Sequence, residues 1–95
     1  MKLLKDILYK VSVNAVFGDT NTEVTQIAFD SRTIKNGAVF VAQKGVFEDG
    51  HLYIDKAISL GATSIICEVL PEEMQHGITF IQVEDSNTTL AIIAS

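Results

Sequence analysis

The sequence has one cysteine, one proline, no tryptophan and no excess of positive charge. With Cys67 alone, no internal disulfide can form, and no cysteine framework marks a secreted fold. Such cysteine usage fits a reducing, cytosolic compartment. Seven basic against twelve acidic residues give a formal charge of −5. A chain of that sign is not expected to take a nucleic-acid backbone or an anionic membrane as its main partner. An anionic ligand held by a local Arg, Lys or helix N-terminus stays compatible with it. Long apolar runs are missing as well, and none approaches the ~20 residues that span a bilayer. Lys2, Lys5 and Lys10 surround a short apolar set, but no apolar segment with a small-residue cleavage site follows, so no targeting signal is read. No repeat or low-complexity tract is present. Asn87-Thr88-Thr89 fits the glycosylation pattern, which means little in a cytosolic chain.

What is present describes one small folded domain. The 95 residues are 47% apolar and 20% charged, which is not the composition of a disordered chain. A domain of this size buries roughly 60–65% of the surface its unfolded chain exposes, enough for one modest core.

The apolar spacing orders the elements. Leu3, Leu4, Ile7 and Leu8 predict a short amphipathic helix over 2–10. Gly18, Asp19, Asn21 and Thr22 mark a turn region. Val24 to Phe29 alternates as a strand, and Asn36-Gly37 is a turn pair. Ala38 to Ala42 is continuously apolar and reads as a central strand running to about residue 43. Residues 44–51 form a loop between two glycines. Leu52 to Leu60 follows helical spacing and stops at Gly61, within a helix placed near 51–60. Thr63 to Val69 reads as a buried strand, Pro71 to Gln75 as one helical turn, and Ile78 to Val83 as a last strand. Ser86 onward is a helix start capped by Asp85 or Ser86, with Leu90, Ile93 and Ala94 on one face. A short helix normally needs something to pack on, so the expectation is a piece of a longer protein. Strands separated by crossovers predict an α/β class with a small mixed, partly parallel sheet flanked by helices.

Two clusters can carry chemistry. Asp30-Ser31-Arg32 sets a carboxylate, a hydroxyl and a guanidinium just past a strand. Ser31 can donate to a base carbonyl or phosphate oxygen, and the planar fork of Arg32 suits a phosphate. The same three residues suit a turn cap, and the residues alone leave both readings open. The second cluster is Gly45-Val46-Phe47-Glu48-Asp49-Gly50-His51. Gly45 and Gly50 allow positive φ and close backbone approach, and exposed amides there can cradle an anion or a polar ring. Asp49 can cap the following helix. His51 can meet a ligand or serve the scaffold, and Phe47 can stack on a base or close the core. The loop is neither a phosphate-binding loop nor a dinucleotide fingerprint. No triad forms around Ser31 and His51, and His51 and His76 lack zinc spacing. Cys67, in a buried-looking strand, reads as an inert small hydrophobe. No catalytic residue and no metal ligand is assigned.

Taken together, Asp30-Ser31-Arg32, Asn36 to Ala42, Gly45, Asp49-Gly50-His51, and Ala57-Ile58 with Gly61-Ala62 resemble the N-terminal domain of the Mur ligases. The order and spacing cover residues 24–69, with weaker similarity over all 95. Within that family the pattern is most similar to the members that add the third stem-peptide residue, meso-diaminopimelate or L-lysine, to UDP-N-acetylmuramoyl-L-alanyl-D-glutamate in peptidoglycan synthesis. The members adding D-alanyl-D-alanine are the alternative. A stand-alone α/β binding or protein-interaction module is the reading outside the family. The resemblance implies that residues 1–95 are the UDP-substrate-binding domain of a three-domain, ATP-dependent amide-forming ligase. It implies ATP and magnesium in a central domain, none in these residues, and a substrate carboxylate activated as an acyl phosphate. It implies that Ser31 contacts the UDP end and that Phe29 belongs to the same wall. Val46, Phe47 and Glu48 fall beneath the uracil and diphosphate, with Asp30, Arg32, Gly45, Asp49, Gly50 and His51 in support. Several relatives carry a polar pair where Val46-Phe47 stands, which leaves backbone amides as the donors there.

Overall fold

The structure, a computed structural model, describes residues 2–45 and 48–94. Its centre is a five-stranded sheet built from β2 (Val13–Phe17), β4 (Gln26–Ala28), β5 (Ala38–Val41), β6 (Ser64–Cys67) and β7 (Thr79–Val83). Their spatial order is β2-β7-β6-β5-β4. The four strands from β4 to β7 pair in parallel, and β2 closes one edge antiparallel to β7. The sheet is therefore mixed and partly parallel. A separate two-stranded ribbon joins β1 (Lys2–Leu3) to β3 (Glu23–Val24).

Alternation along the inner strands splits the core in two, because successive strand residues face opposite sides. Val39, Val41, Ile66, Ile81 and Val83 pack with Leu4, Leu8 and Val24 on one face. That face is covered by α1 (Leu4–Ile7), a 3-10 turn at Leu8–Lys10, and α3 (Ser86–Ile93), which adds Leu90 and Ile93. Phe40, Ala42, Ile65, Cys67 and Phe80 point to the other side, against Ile54, Ala57 and Ile58 of α2 (Ile54–Leu60). Ile54 is 4% exposed, and burying a side chain of its kind stabilises by about 1.5–3 kcal/mol. Cys67 lies in this second core with its thiol pushed up to about 11 by burial, so it stays protonated.

Several local expectations change. The opening helix over 2–10 is a two-residue strand followed by one helical turn and one 3-10 turn. Leu4 N–H donates to Thr22 O at 2.8 Å and Lys5 N–H to Thr20 O at 2.9 Å; these tertiary bonds hold Lys2 and Leu3 extended. Strand β2 is not among the sequence expectations. The single strand over 24–29 is two strands in different sheets. At Thr25 the chain leaves β1 for β5, with Thr25 N–H bonded to Gly37 O at 3.0 Å. Phe29 falls outside both and is 61% exposed. Strand β5 is fully buried but second from an edge, and the middle strand is β6. No helical turn forms over Pro71 to Gln75, because three exposed polar positions in that stretch (Glu72, Glu73 and Gln75) offer no buried stripe to hold it. Ala94 is exposed, and Ser86 and Thr89 are the buried residues of α3. The helix near 51–60 begins with a 3-10 turn over Gly50–Tyr53 before α2.

Gly61 stops α2 as expected. Its φ is +123°, and a Cβ there would strike the Asn36 side-chain oxygen and come within 2.9 Å of Asn36 Cα. Gly61→Ala is expected to lower unfolding free energy by about 2–4 kcal/mol, from left-handed strain plus overpacking. Urea titration followed by circular dichroism measures it, and an unchanged midpoint would show that the Asn36 turn yields freely.

Candidate functional site

The carboxyl edge of a parallel sheet is where open α/β folds place ligands. Here the segments leaving β4 and β5 meet the start of α2 around an open cavity of about 450 Å³. It is lined by Phe29, Asp30, Ser31, Arg32, Gly45, Glu48 and Gly50, all candidates from the sequence, and by Phe40, Gln43, Tyr53 and Lys56. Asp49 and His51 lie off its wall. Val46 and Phe47, which the sequence places in this loop, lie outside the described residues.

The first wall is a capped 3-10 turn over Ser31–Thr33. Asp30 Oδ1 accepts from Arg32 N–H at 2.9 Å, as a short carboxylate does for the free amides of a helical start. The same carboxylate takes the guanidinium as a fork, with Nε–Oδ1 at 3.0 Å and Nη2–Oδ2 at 2.8 Å. That fork lowers the Asp30 pKa from 3.8 to about 2 and raises that of Arg32. Arg32 is 80% exposed, so the pair is wet and contributes little to stability. Gln26 braces the wall from below: its amide nitrogen donates to Thr33 O and its oxygen accepts from Lys35 N–H, both at 2.9 Å. Ser31 is 7% exposed. It lines the cavity, and its hydroxyl makes no hydrogen bond among the described residues. Exposed Phe29 adds a flat apolar surface beside it.

The second wall is the loop after β5. Gly45 N–H donates to Glu48 O at 2.7 Å, and Gly50 N–H to Gln43 O at 2.6 Å. Neither glycine has positive φ, which corrects that part of the sequence reading. Close approach is the reason for both. A Cβ on Gly45 would lie 2.8 Å from Glu48 O, and one on Gly50 2.7 Å from Gln43 N. Glu48 faces Tyr53, whose phenol it raises above the usual tyrosine value, and its charge reaches Arg32. Lys56 acts on Asp30 from α2, and no ion pair of Lys56 is recorded among the described residues.

His51 belongs to the scaffold. Its Nε2 receives Glu68 N–H at 2.9 Å and Val69 N–H at 3.2 Å. Amides only donate, so Nε2 carries the lone pair and Nδ1–H donates to Asp49 Oδ1 at 2.6 Å. Asp49 also caps the Gly50–Tyr53 turn through His51 N–H at 3.0 Å, and these two bonds lower its pKa. Both ring nitrogens are thus used. Of the lining residues the sequence reading missed, Gln43 had a visible signal, a polar side chain directly after an apolar strand. Tyr53 and Lys56 had none, because only the placement of the 3-10 turn and of α2 after it brings them to the cavity.

These elements define a small α/β domain with an open mixed sheet and a polar surface cavity at its carboxyl edge. Residues 23–95 match the Mur ligase family, catalytic domain, and the chain belongs to the Mur ligase family. It is 48% identical over 93 residues to the UDP-N-acetylmuramoyl-L-alanyl-D-glutamate–2,6-diaminopimelate ligase of Cytophaga hutchinsonii, covering 97% of this chain. It is 43% identical over 95 residues to the enzyme of that name from Phocaeicola vulgatus. The chain spans 19% of the length of each. Among solved structures it is similar to the MurF ligase of Thermotoga maritima in complex with ADP. There the TM-score is 0.64 at 37% identity, over 75% of this chain and 16% of that one. The UDP-N-acetylmuramoylalanyl-D-glutamyl-2,6-diaminopimelate–D-alanyl-D-alanyl ligase of Acinetobacter baumannii gives a TM-score of 0.65 at 28% identity, over 75% of this chain and 15% of that one.

The Asp30 fork sets a pH expectation. Its folded pKa is depressed, so its contribution is present above about pH 4 and is lost as pH falls toward 2. A carboxyl-carbon NMR titration should place Asp30 near 2, and Arg32→Gln should move it part of the way back to 3.8. At the second wall, Gly50→Ala should cost about 1–3 kcal/mol by overpacking against the Gln43 backbone. Denaturant unfolding reads that loss, and a wild-type midpoint would refute the contact.

Proposed function

We propose that the chain is the uridine-nucleotide-binding domain of an ATP-dependent ligase that joins a third amino acid to UDP-N-acetylmuramoyl-L-alanyl-D-glutamate. The observation that carries this reading is one cavity uniting the Asp30-Ser31-Arg32 wall with the Gly45–Gly50 loop in a chain 48% identical to a ligase of that name. The relatives' names support 2,6-diaminopimelate as the acceptor over L-lysine. Likeness at 28–37% to solved D-alanyl-D-alanine-adding ligases fits the alternative less well than the 43–48% matches fit this one.

In this reading Ser31 Oγ donates to a polar atom at the uridine diphosphate end, and Phe29 offers its ring to the base. Lys56 and Arg32 supply positive charge toward the diphosphate. Glu48, bound to Tyr53, repels phosphate and steers the anionic end away from the loop tip. Val46 and Phe47 remain candidates for the same wall. These residues bind and orient, and no bond-making step is assigned to them. ATP and magnesium do not fit here. The sequence has no Gly-x-x-x-x-Gly-Lys loop, and no metal-holding group of His, Cys, Asp and Glu occurs among the described residues. Both are assigned to an ATP-binding central domain of the parent enzyme. Among the described residues no helix is long and apolar enough to cross a membrane, and a cytoplasmic enzyme acting on a soluble nucleotide sugar agrees with the lone buried cysteine.

Isothermal titration with uridine diphosphate tests the reading. Ser31→Ala should weaken binding by about 1–3 kcal/mol, roughly 5- to 150-fold, if the hydroxyl meets an otherwise unpaired ligand atom. A folded variant with wild-type affinity would leave Ser31 as no more than a buried residue of the turn that ends the strand. The 95 residues alone should release no phosphate from ATP in a magnesium-containing assay, and turnover proportional to purified chain would overturn the assignment of ATP to another domain.

A further inference from the structure

The N-terminus of α3 is already occupied. Asp85 Oδ1 accepts from Asn87 N–H at 3.0 Å and Thr88 N–H at 3.1 Å. Glu68, beyond the end of β6, takes Ser86 N–H at 2.9 Å and Ser86 Oγ–H at 3.0 Å through Oε2. Two carboxylates neutralise the positive end of the helix dipole, so this terminus is no free anion site. Its remaining polar group reaches the cavity loop instead: Gln43 Nε2 donates to Asn87 Oδ1 at 2.7 Å.

From there the connection runs into the cavity wall. Gln43 lines the cavity, and its carbonyl receives the N–H of Gly50, a second lining residue, at 2.6 Å. A parallel route starts from Glu68, whose backbone N–H binds His51 Nε2 and whose carboxylate lies 4.0 Å from Lys44 Nζ. The first turn of α3 is thus tied at two points to the loop that closes the site, although Asn87 itself does not line it.

We propose that α3 sets the shape of the cavity wall through the Asn87–Gln43 hydrogen bond, making Asn87 a positioning residue for the ligand site. The proposal rests on reading the cavity as a uridine-nucleotide site. A ligand that fixes Gln43 also biases Asn87, and by linkage a change in the seating of α3 that depends on this bond changes ligand affinity, the two effects sharing one coupling free energy. Whatever pulls on α3 is therefore felt in the cavity through a polar contact between residues 44 positions apart.

The test uses the 95-residue chain, uridine diphosphate as probe, titration calorimetry and amide NMR. Asn87 is exposed, and Asn87→Ala places a better helix former there, so the fold is kept. The variant should bind about threefold more weakly, the order expected for part of one hydrogen bond. The amides of Gln43, Lys44 and Gly50 should shift in it even without nucleotide. Asn87→Asp keeps the acceptor oxygen and should restore the loop signals without nucleotide, which a general loss of packing would not do. Wild-type affinity in Asn87→Ala, or loop amides at their wild-type positions, would overturn the coupling. Failure of the wild-type chain to bind uridine diphosphate would bring down the nucleotide reading alone, because the ligand-free loop shifts and their rescue by Asn87→Asp still decide the coupling.

Discussion

Strands β5 and β6 run parallel with every one of their residues buried. A strand buried on both sides leaves neither face for water, so both faces of the sheet have to be covered. That requirement places α2 against Phe40, Ile65 and Phe80, and α1 with α3 against Val39, Val41 and Ile66. Parallel pairing also forbids tight hairpins between these strands, so each must be reached by a crossover. Only the β5–β6 crossover carries an α-helix. The β4–β5 link has a single 3-10 turn. Such a short link must run close over the carboxyl edge, which is how Ser31 comes to face the loop after β5.

Short carboxylates then do the local work. Asp30, Asp49 and Asp85 each cap a helical start with the side chain. All three sit just before the residues that shape the cavity or its support. The backbone of the site is thus held by charge-assisted bonds to its own amides. Among the described residues no hydrogen bond holds the Ser31 hydroxyl and no ion pair holds Lys56. Arg32 is shared with Asp30, so it offers a phosphate only the donors its fork to Asp30 does not use. Arg32 and Lys56 thereby balance Asp30 and Glu48 around the cavity, in a chain that is acidic as a whole.

The places of the inner strands and of α2 along the chain were legible, because buried strands and an amphipathic helix write different periods into the chain. The short edge elements were not. Val13 and Ala15 alternate with polar neighbours ahead of Gly18, a usable signal for β2 that a helix-centred reading of the first residues passes over. The break at Thr25 had no signal, since Val24 to Phe29 alternates without interruption and only the competition between two pairing partners divides it. Close approach at Gly50 was equally hidden: a glycine looks the same in sequence whether it needs a positive φ or lacks room for a Cβ. Asp30, Ser31 and Gly45, which line one cavity, were readable as a cluster because turn-forming and hydrogen-bonding residues gather directly after apolar strands.

By itself the sequence determined the α/β class, the buried inner strands, the capping aspartates and the family pattern, all of which depend on residues near one another in the chain. Tertiary structure decided which loops share one cavity, that His51 is spent on the backbone of Glu68 and Val69, and that Tyr53 before α2 and Lys56 within it line that cavity. It also decided that Asn87 of the last helix meets Gln43. Those contacts join residues 17 to 44 positions apart. Their geometry is set by how the sheet twists and where each helix lands on it, and no local period or motif encodes that.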